Sequence, residues 1–402
     1  MPKIAHIRPV LISAPYSSEE SLEVRINLKS GFKTCGLVEI TLEDGTTGLG
    51  EAYLAVFAAH VFEEMVKLVA PYLLGKEVED INARYNDLCA VTGYWSLQGA
   101  ARHVVGACEI AMVDAKAKFF GVPAYSILGG KCVESIRLYG SGGDSATPQG
   151  MEAELEQLRS MGINLFKIRA QNCEISKTVW TLERAASVGI GVGVDMCQNL
   201  ANPAQTASDV VRFLEKVYCR TEERIVFLEE ALGPMDVDNY SLLRAKINTK
   251  ICGGEIVNTA AEMCRRVEHG VYDFVQPDAT VIGGIGQVLE VFAACRQHGS
   301  QAVVHCWGGA VCMMANYHAA FAGGGQLAEW PLPKFALRQA MMTEPLGIEG
   351  GNLIAPATPG LGVKLTPEIE AKYPFREEAV YTCLEDLREL PSDRVWEAGA
   401  RD

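Results

Sequence analysis

Eight short apolar stretches recur through the middle of this chain at intervals of 23 to 34 residues, and that period restricts the fold more than any other feature. They fall at 136–140, 165–169, 191–195, 225–229, 250–254, 273–276, 302–305 and 326–330. Each interval has room for a strand, a loop, a helix and a second loop, the unit that joins parallel strands. Helical stripes lie between them: Met151, Leu155, Leu158 and Met161 share one face, and Gly162 follows as a C-terminal cap. Thr259 is placed to cap the helix that stops near Gly270. Eight parallel strands with helical crossovers close best into a barrel. A doubly wound sheet is the alternative, weakened because no strict G-x-G-x-x-G occurs.

The flanks have a different texture. Val38, Glu39, Ile40, Thr41 and Leu42 alternate, and Glu43-Asp44-Gly45-Thr46 supplies turn chemistry, which predicts a hairpin returning through Gly48-Leu49-Gly50-Glu51. Helical patterns follow near 57–73, 78–90 and 99–119; in the last, Val104, Cys108, Ala111, Met112 and Ala115 form one stripe. Strands followed by helices describe an α+β unit over residues 1–130, ahead of a barrel over 131–330. The remainder, 331–402, is rich in Gly and Pro and reads as irregular chain returning to cover something.

Composition narrows the function. Fifty acidic residues against 36 basic give a net charge of −14, so nucleic-acid binding is disfavoured. Thirteen scattered cysteines include no Cys-x-x-Cys pair, and they read as reduced thiols of a cytoplasmic protein. The N-terminus lacks the pattern of a signal peptide, and no apolar run reaches the ~18 residues needed to cross a bilayer.

Polar residues recur where the apolar strands end: Lys167 and Arg169, Asp195, Glu229-Glu230, Glu255, Asp278, His305 and Glu329. In a barrel these ends share one face, where barrel enzymes place their sites. Asp195, Glu229 and Glu255 on adjacent strands would repel unless a cation lies between them, and an all-oxygen set suits Mg²⁺. Separate salt bridges are the bland alternative, but few cationic side chains are at hand. Glu230 must face away from Glu229. Lys167 reads as a base or carboxylate clamp and Arg169 as a clamp or supporting partner, unless the two are an ordinary exposed basic pair. Asp278 beside His305 is a general-base arrangement rather than an ordinary core histidine. Glu329, if protonated, could donate to a developing oxyanion. The Val281–Gly286 glycine run lacks Lys-Ser/Thr and reads as a tight loop rather than a phosphate site.

In order and spacing these motifs resemble the mandelate racemase-like branch of the enolase superfamily. Asp114-Ala115-Lys116 through Leu128-Gly129-Gly130 looks like the end of its capping domain, and Phe166-Lys167-Ile168-Arg169 stands at its Lys-x-Lys position. Val194-Asp195, Leu228-Glu229-Glu230 and Gly253-Gly254-Glu255 match its metal motifs. Gln276-Pro277-Asp278, His305-Cys306-Trp307-Gly308 and Pro359-Gly360-Leu361-Gly362 complete the series. The resemblance implies a (β/α)7β modified TIM barrel with an N-terminal α+β capping domain completed by the C-terminal segment. It also implies one Mg²⁺ per subunit on Asp195, Glu229 and Glu255, a homo-oligomer from dimer to octamer, and lid loops near 15–30 and 50–55. Ser17-Ser18-Glu19-Glu20, Glu51, Tyr53 and Trp307 are then expected near the substrate.

Two positions depart from the family pattern. Arg169 replaces a second Lys and cannot readily give up a proton, and Ala231 replaces a Pro. Loss of one base argues against racemisation. The expected activity is Mg²⁺-dependent removal of the α-proton of a hydroxy-carboxylate, with dehydration of a sugar acid ahead of cycloisomerisation, of racemisation or epimerisation, and of a non-catalytic ligand-binding relative.

Overall fold

The computed structural model describes residues 1–16, 21–382 and 393–398. The chain begins with an antiparallel sheet of β1 (Ile4–Pro15), β2 (Phe32–Leu42) and β3 (Thr47–Glu51) in that spatial order. The predicted hairpin is β2–β3, whereas the long first strand carries too irregular an alternation to be read from sequence. The helix Ala100–Phe119 lies across this sheet, with Val104, Cys108, Ala111, Met112 and Ala115 all in its core. Gly50 makes that close approach possible: a Cβ there would lie 1.7 Å from the Ala107 carbonyl oxygen.

Eight parallel strands follow: β4 (Ser135–Ser141), β5 (Leu165–Arg169), β6 (Gly191–Asp195), β7 (Phe227–Glu229), β8 (Lys250–Gly253), β9 (Phe274–Val275), β10 (Gln301–Ala302) and β11 (Leu327–Pro331). Each pairs with the next from β4 to β10, β11 pairs with β4, and a bridge between Val304 and Ala328 closes the ring. This is the barrel, not an open sheet. Seven of the connections carry helices of 8 to 14 residues, from Pro148–Met161 to Ala310–Gly323. Gly162 caps the first in the left-handed conformation, and the Thr259 hydroxyl accepts the Glu262 N–H as expected of an N-cap.

The described part of segment 331–402 is more regular than its composition implies. The hairpin β12 (Ile348–Glu349) and β13 (Asn352–Ile354) adds antiparallel to β4. Beyond it the chain returns to the capping domain: Ser13 N–H donates to the Tyr373 carbonyl, Tyr381 N–H to the Val56 carbonyl, and Arg8 grips Glu370 with both terminal nitrogens at 2.7 and 2.9 Å. No helix among the described residues is long and apolar enough to cross a membrane.

Candidate active site

Side-chain alternation along the strands builds the site in layers. Tyr139, Leu165, Phe227, Cys252, Phe274, Val303 and Leu327 fill the barrel floor. Gly193 completes the layer, since a Cβ there would meet the Phe227 ring at 2.3 Å. Two residues further along four of these strands, the next inward positions are Ser141, Lys167, Glu229 and Glu329, and Asp195 stands in the same place above Gly193. An apolar floor under a polar layer follows from the period of two alone.

Asp195, Glu229 and Glu255 each offer one oxygen, all within 4.8 Å of one another. Glu230 turns away, in a left-handed conformation at φ 40°, and accepts the Gly254 N–H at 2.7 Å. It thereby supports the loop that carries Glu255. Asn199 donates to Glu255 at 2.6 Å and Gln276 to Glu229 at 2.6 Å. Burial and the neighbouring acids Asp195 and Glu255 push the Glu229 carboxyl up to about 8, even though Lys167 opposes the shift. Three hard-oxygen donors, Asp195 and Glu229 buried and Glu255 partly so, whose crowding raises the carboxyls of Glu229 and Glu255, fit a divalent cation, so this trio could hold one.

Lys167 forms ion pairs with Glu229, with Glu329 at 3.0 Å and with Asp195 at 3.7 Å. Burial favours its neutral form, but these acids outweigh it and hold the ammonium well above its ordinary value. For Glu329 the condition set by the sequence, that it donates if protonated, is not met here. Burial would raise its carboxyl, yet Lys167, His305, the Ser141 hydroxyl and the Cys306 N–H (2.6 Å) hold it at about 2. It is an acceptor in this state, and it positions Lys167.

His305 Nδ1 lies 2.8 Å from Asp278 Oδ2. A carboxylate can only accept there, so Nδ1 carries the proton and Nε2 faces Glu255 at 3.5 Å, on the side of the trio. Asp278 is itself held by the Thr280 N–H and hydroxyl at 2.8 and 2.7 Å and by Asn316 Nδ2 at 2.9 Å. Burial alone would lower the imidazole's affinity for a proton, but Glu255, Glu329 and Asp278 raise it to about 10.

Above this layer is a cavity of about 310 Å³. Lys167, Arg169, Asp195, Glu255, His305, Tyr53 and Trp307 line it, so ten of the eleven site residues read from sequence converge at or beneath one opening. Tyr53 meets the His305 ring edge-on, with centroids 6.3 Å apart. The eleventh, Glu51, does not line it. Its two oxygens accept the Gly309 and Cys312 N–H groups at 2.7 and 2.8 Å, fixing the start of the helix Ala310–Gly323. Substrate contact by Glu51 is therefore replaced by a structural role. Ser17-Ser18-Glu19-Glu20 lies outside the described residues. The sequence reading missed Glu23, which reaches the cavity from the helix Leu22–Ile26 of the capping domain.

These charges make the metal-free protein sensitive to pH. Glu229 and Glu230 are pushed up to about 8 from an ordinary 4.5. Between those values the folded state keeps protons that the unfolded chain releases, so stability falls as pH rises. His305, raised from 6.5 to about 10, acts in the same direction, its stabilisation being complete below 6.5 and lost as pH climbs towards 10. In chelator, the melting temperature is expected to be lower at pH ~8.5 than at pH ~6, with added Mg²⁺ shrinking the difference. A metal-free melting temperature that rises over this interval contradicts the electrostatics.

Residues 27–129 match the family described as mandelate racemase/muconate lactonizing enzyme, N-terminal domain, and residues 150–369 the one described as enolase C-terminal domain-like. The chain is 25% identical over 362 residues to an L-rhamnonate dehydratase of Saccharopolyspora erythraea, covering 84% of this chain and 85% of that one. It is also 25% identical to a D-galactarolactone cycloisomerase of Agrobacterium fabrum, covering 82% and 88%. The crystal structure of the 3,6-anhydro-D-galactonate cycloisomerase from Zobellia galactanivorans shares the fold, with a TM-score of 0.78 at 24% identity over 92% of this chain and 99% of that one. Both halves of the sequence, the barrel and its cap lead to one assignment: the chain belongs to the mandelate racemase/muconate lactonizing enzyme family of the enolase superfamily.

Proposed function

We propose that the protein is a Mg²⁺-dependent enzyme that removes the α-proton of a hydroxylated monocarboxylic or sugar acid and expels the β-hydroxyl as water. The observation that carries this reading is the convergence of the His305–Asp278 pair, Lys167 and three cation-seeking carboxylates on one cavity. The dehydratases and cycloisomerases among its relatives support the same class of reaction. Asp195, Glu229 and Glu255 would hold Mg²⁺, which supplies positive charge for a substrate carboxylate as its neighbouring carbon turns anionic.

The chain's own groups do the rest. In its neutral form, which a cation shared by Glu255 would favour over the imidazolium of the metal-free site, His305 accepts the α-proton at Nε2, with Asp278 keeping Nδ1 protonated and stabilising the imidazolium that forms. The Lys167 ammonium stands ready beside the accumulating negative charge. The electron pair of the broken C–H bond forms a C=C bond as the β C–O bond breaks, and the departing hydroxide takes the proton now held by the His305 imidazolium and leaves as water. The enol product then tautomerises to an α-keto acid. Arg169 is held charged by Glu23, despite burial that works against it, so it offers no second base. That favours a one-sided elimination over racemisation.

The test is a library of sugar acids incubated with protein and Mg²⁺, followed by mass spectrometry and α-keto acid detection. Loss of water with keto acid formation supports the proposal. Conversion without mass change assigns cycloisomerisation or epimerisation on the same machinery.

A further inference from the structure

Arg169 would be the natural grip for a second carboxylate, yet its charge is already matched. Its Nη1 lies 3.4 Å from Glu23 Oε2, and its guanidinium stacks 4.5 Å from the Trp307 ring. Glu23 is fixed in turn by the Tyr16 hydroxyl at 2.8 Å and the Trp307 indole N–H at 3.0 Å. The barrel loop pins its helix from below: Asp144 Oδ2 accepts the Ser21 hydroxyl at 2.7 Å and the Glu23 N–H at 2.9 Å. Burial opposes the charge on Glu23, but Arg169, Lys33 and the two hydrogen bonds keep it ionised.

The other cationic side chain lining the cavity among the described residues, apart from imidazoles, is Lys167, which is taken by Glu229 and Glu329. Away from the strand ends the wall is largely apolar, built by Leu54, Phe57, Ala100, Ile256 and Val281, while Asn199 is tied to Glu255 and burial lowers the His103 imidazole to about 4, keeping it neutral. A carboxylate at a substrate's far end would meet that wall unpaired, or displace Glu23 from Arg169 and leave a buried acid uncompensated. Both outcomes are strongly unfavourable. Neutral hydroxyls incur neither penalty.

We propose that Glu23 is a specificity-determining residue that, by neutralising Arg169, makes this cavity a site for monocarboxylates and excludes dicarboxylates. The proposal rests on the α-proton reading above, and its test separates the two. Matched pairs of linear acids, such as galactonate with galactarate and gluconate with glucarate, are titrated calorimetrically with Mg²⁺ present, and α-deuterium uptake from D₂O is followed for each. The wild-type protein is expected to bind each monoacid at least ~100-fold more tightly than its diacid partner, the scale of an uncompensated like-charge contact. Glu23→Gln, which frees Arg169, should narrow that gap by at least ~10-fold, and Glu23→Asp should preserve it. A wild-type protein that binds a diacid as well as its monoacid overturns the proposal, whatever the variants do. So does an unchanged gap in Glu23→Gln. If the gap is present but neither acid exchanges its α-proton, the specificity stands and the catalytic reading falls.

Discussion

Replacing His305 by Asn is expected to lower turnover by about 10²- to 10⁴-fold, the usual contribution of a positioned general base. Asparagine retains a group that can hydrogen-bond Asp278 but has no nitrogen able to take a proton at the position of Nε2. The loss should fall on kcat, with substrate affinity and Mg²⁺ affinity close to wild type, because neither the trio nor Lys167 is disturbed. Fold integrity is checked by an unchanged circular dichroism spectrum. Turnover within a few-fold of wild type would remove His305 from the chemistry and move the role of base to Lys167.

Glu229→Gln should have the largest effect on the metal. Glutamine keeps the shape but not the charge, in a site where Asp195 remains buried beside Lys167 and Glu255 partly buried next to it. Supporting partners around a metal typically contribute ~10–100-fold in affinity, so loss of a direct ligand should exceed that range. Its sequence neighbour gives the control. Glu230 accepts the Gly254 N–H, a bond that glutamine can also accept, so Glu230→Gln should retain most Mg²⁺ affinity. Calorimetric titration of both variants with Mg²⁺ checks the contrast; equal losses would mean that the two glutamates are not divided between metal and loop.

Much of this site was legible in the sequence because barrel strands impose a strict code. A period of two sends Lys167, Asp195, Glu229 and Glu329 to one face, and the strand spacing sends that face to one end. Roles that depend on distant chain were not legible. Glu51 was read as a substrate contact from its place beside Tyr53, but its partners are Gly309 and Cys312, more than 250 residues away. Glu23 belongs to a five-residue helix with no periodic signature, and only the folded chain brings it to Arg169. The charge state of Glu329 is a sum over Lys167, His305, Ser141 and Cys306, which come from three other strands or their loops. Motif spacing names the residues in such a sum, not its sign.

The same distinction holds for the C-terminal segment. Its Gly and Pro content concealed the hairpin that extends the sheet from β4, and nothing local in Tyr373 or Tyr381 signals that the capping strands await their carbonyl and N–H groups. The cavity depends on that return, since Tyr381 lines it beside Phe57, with ring centroids 5.5 Å apart.

The most direct measurement is proton NMR of a turned-over sugar acid in D₂O, with Mg²⁺ and again after chelation. The account predicts that deuterium appears at the carbon next to the carboxylate, or in the keto acid derived from it, only while the cation is present and only with His305 intact. Turnover that leaves that C–H bond unbroken, or exchange that persists in chelator, would contradict it.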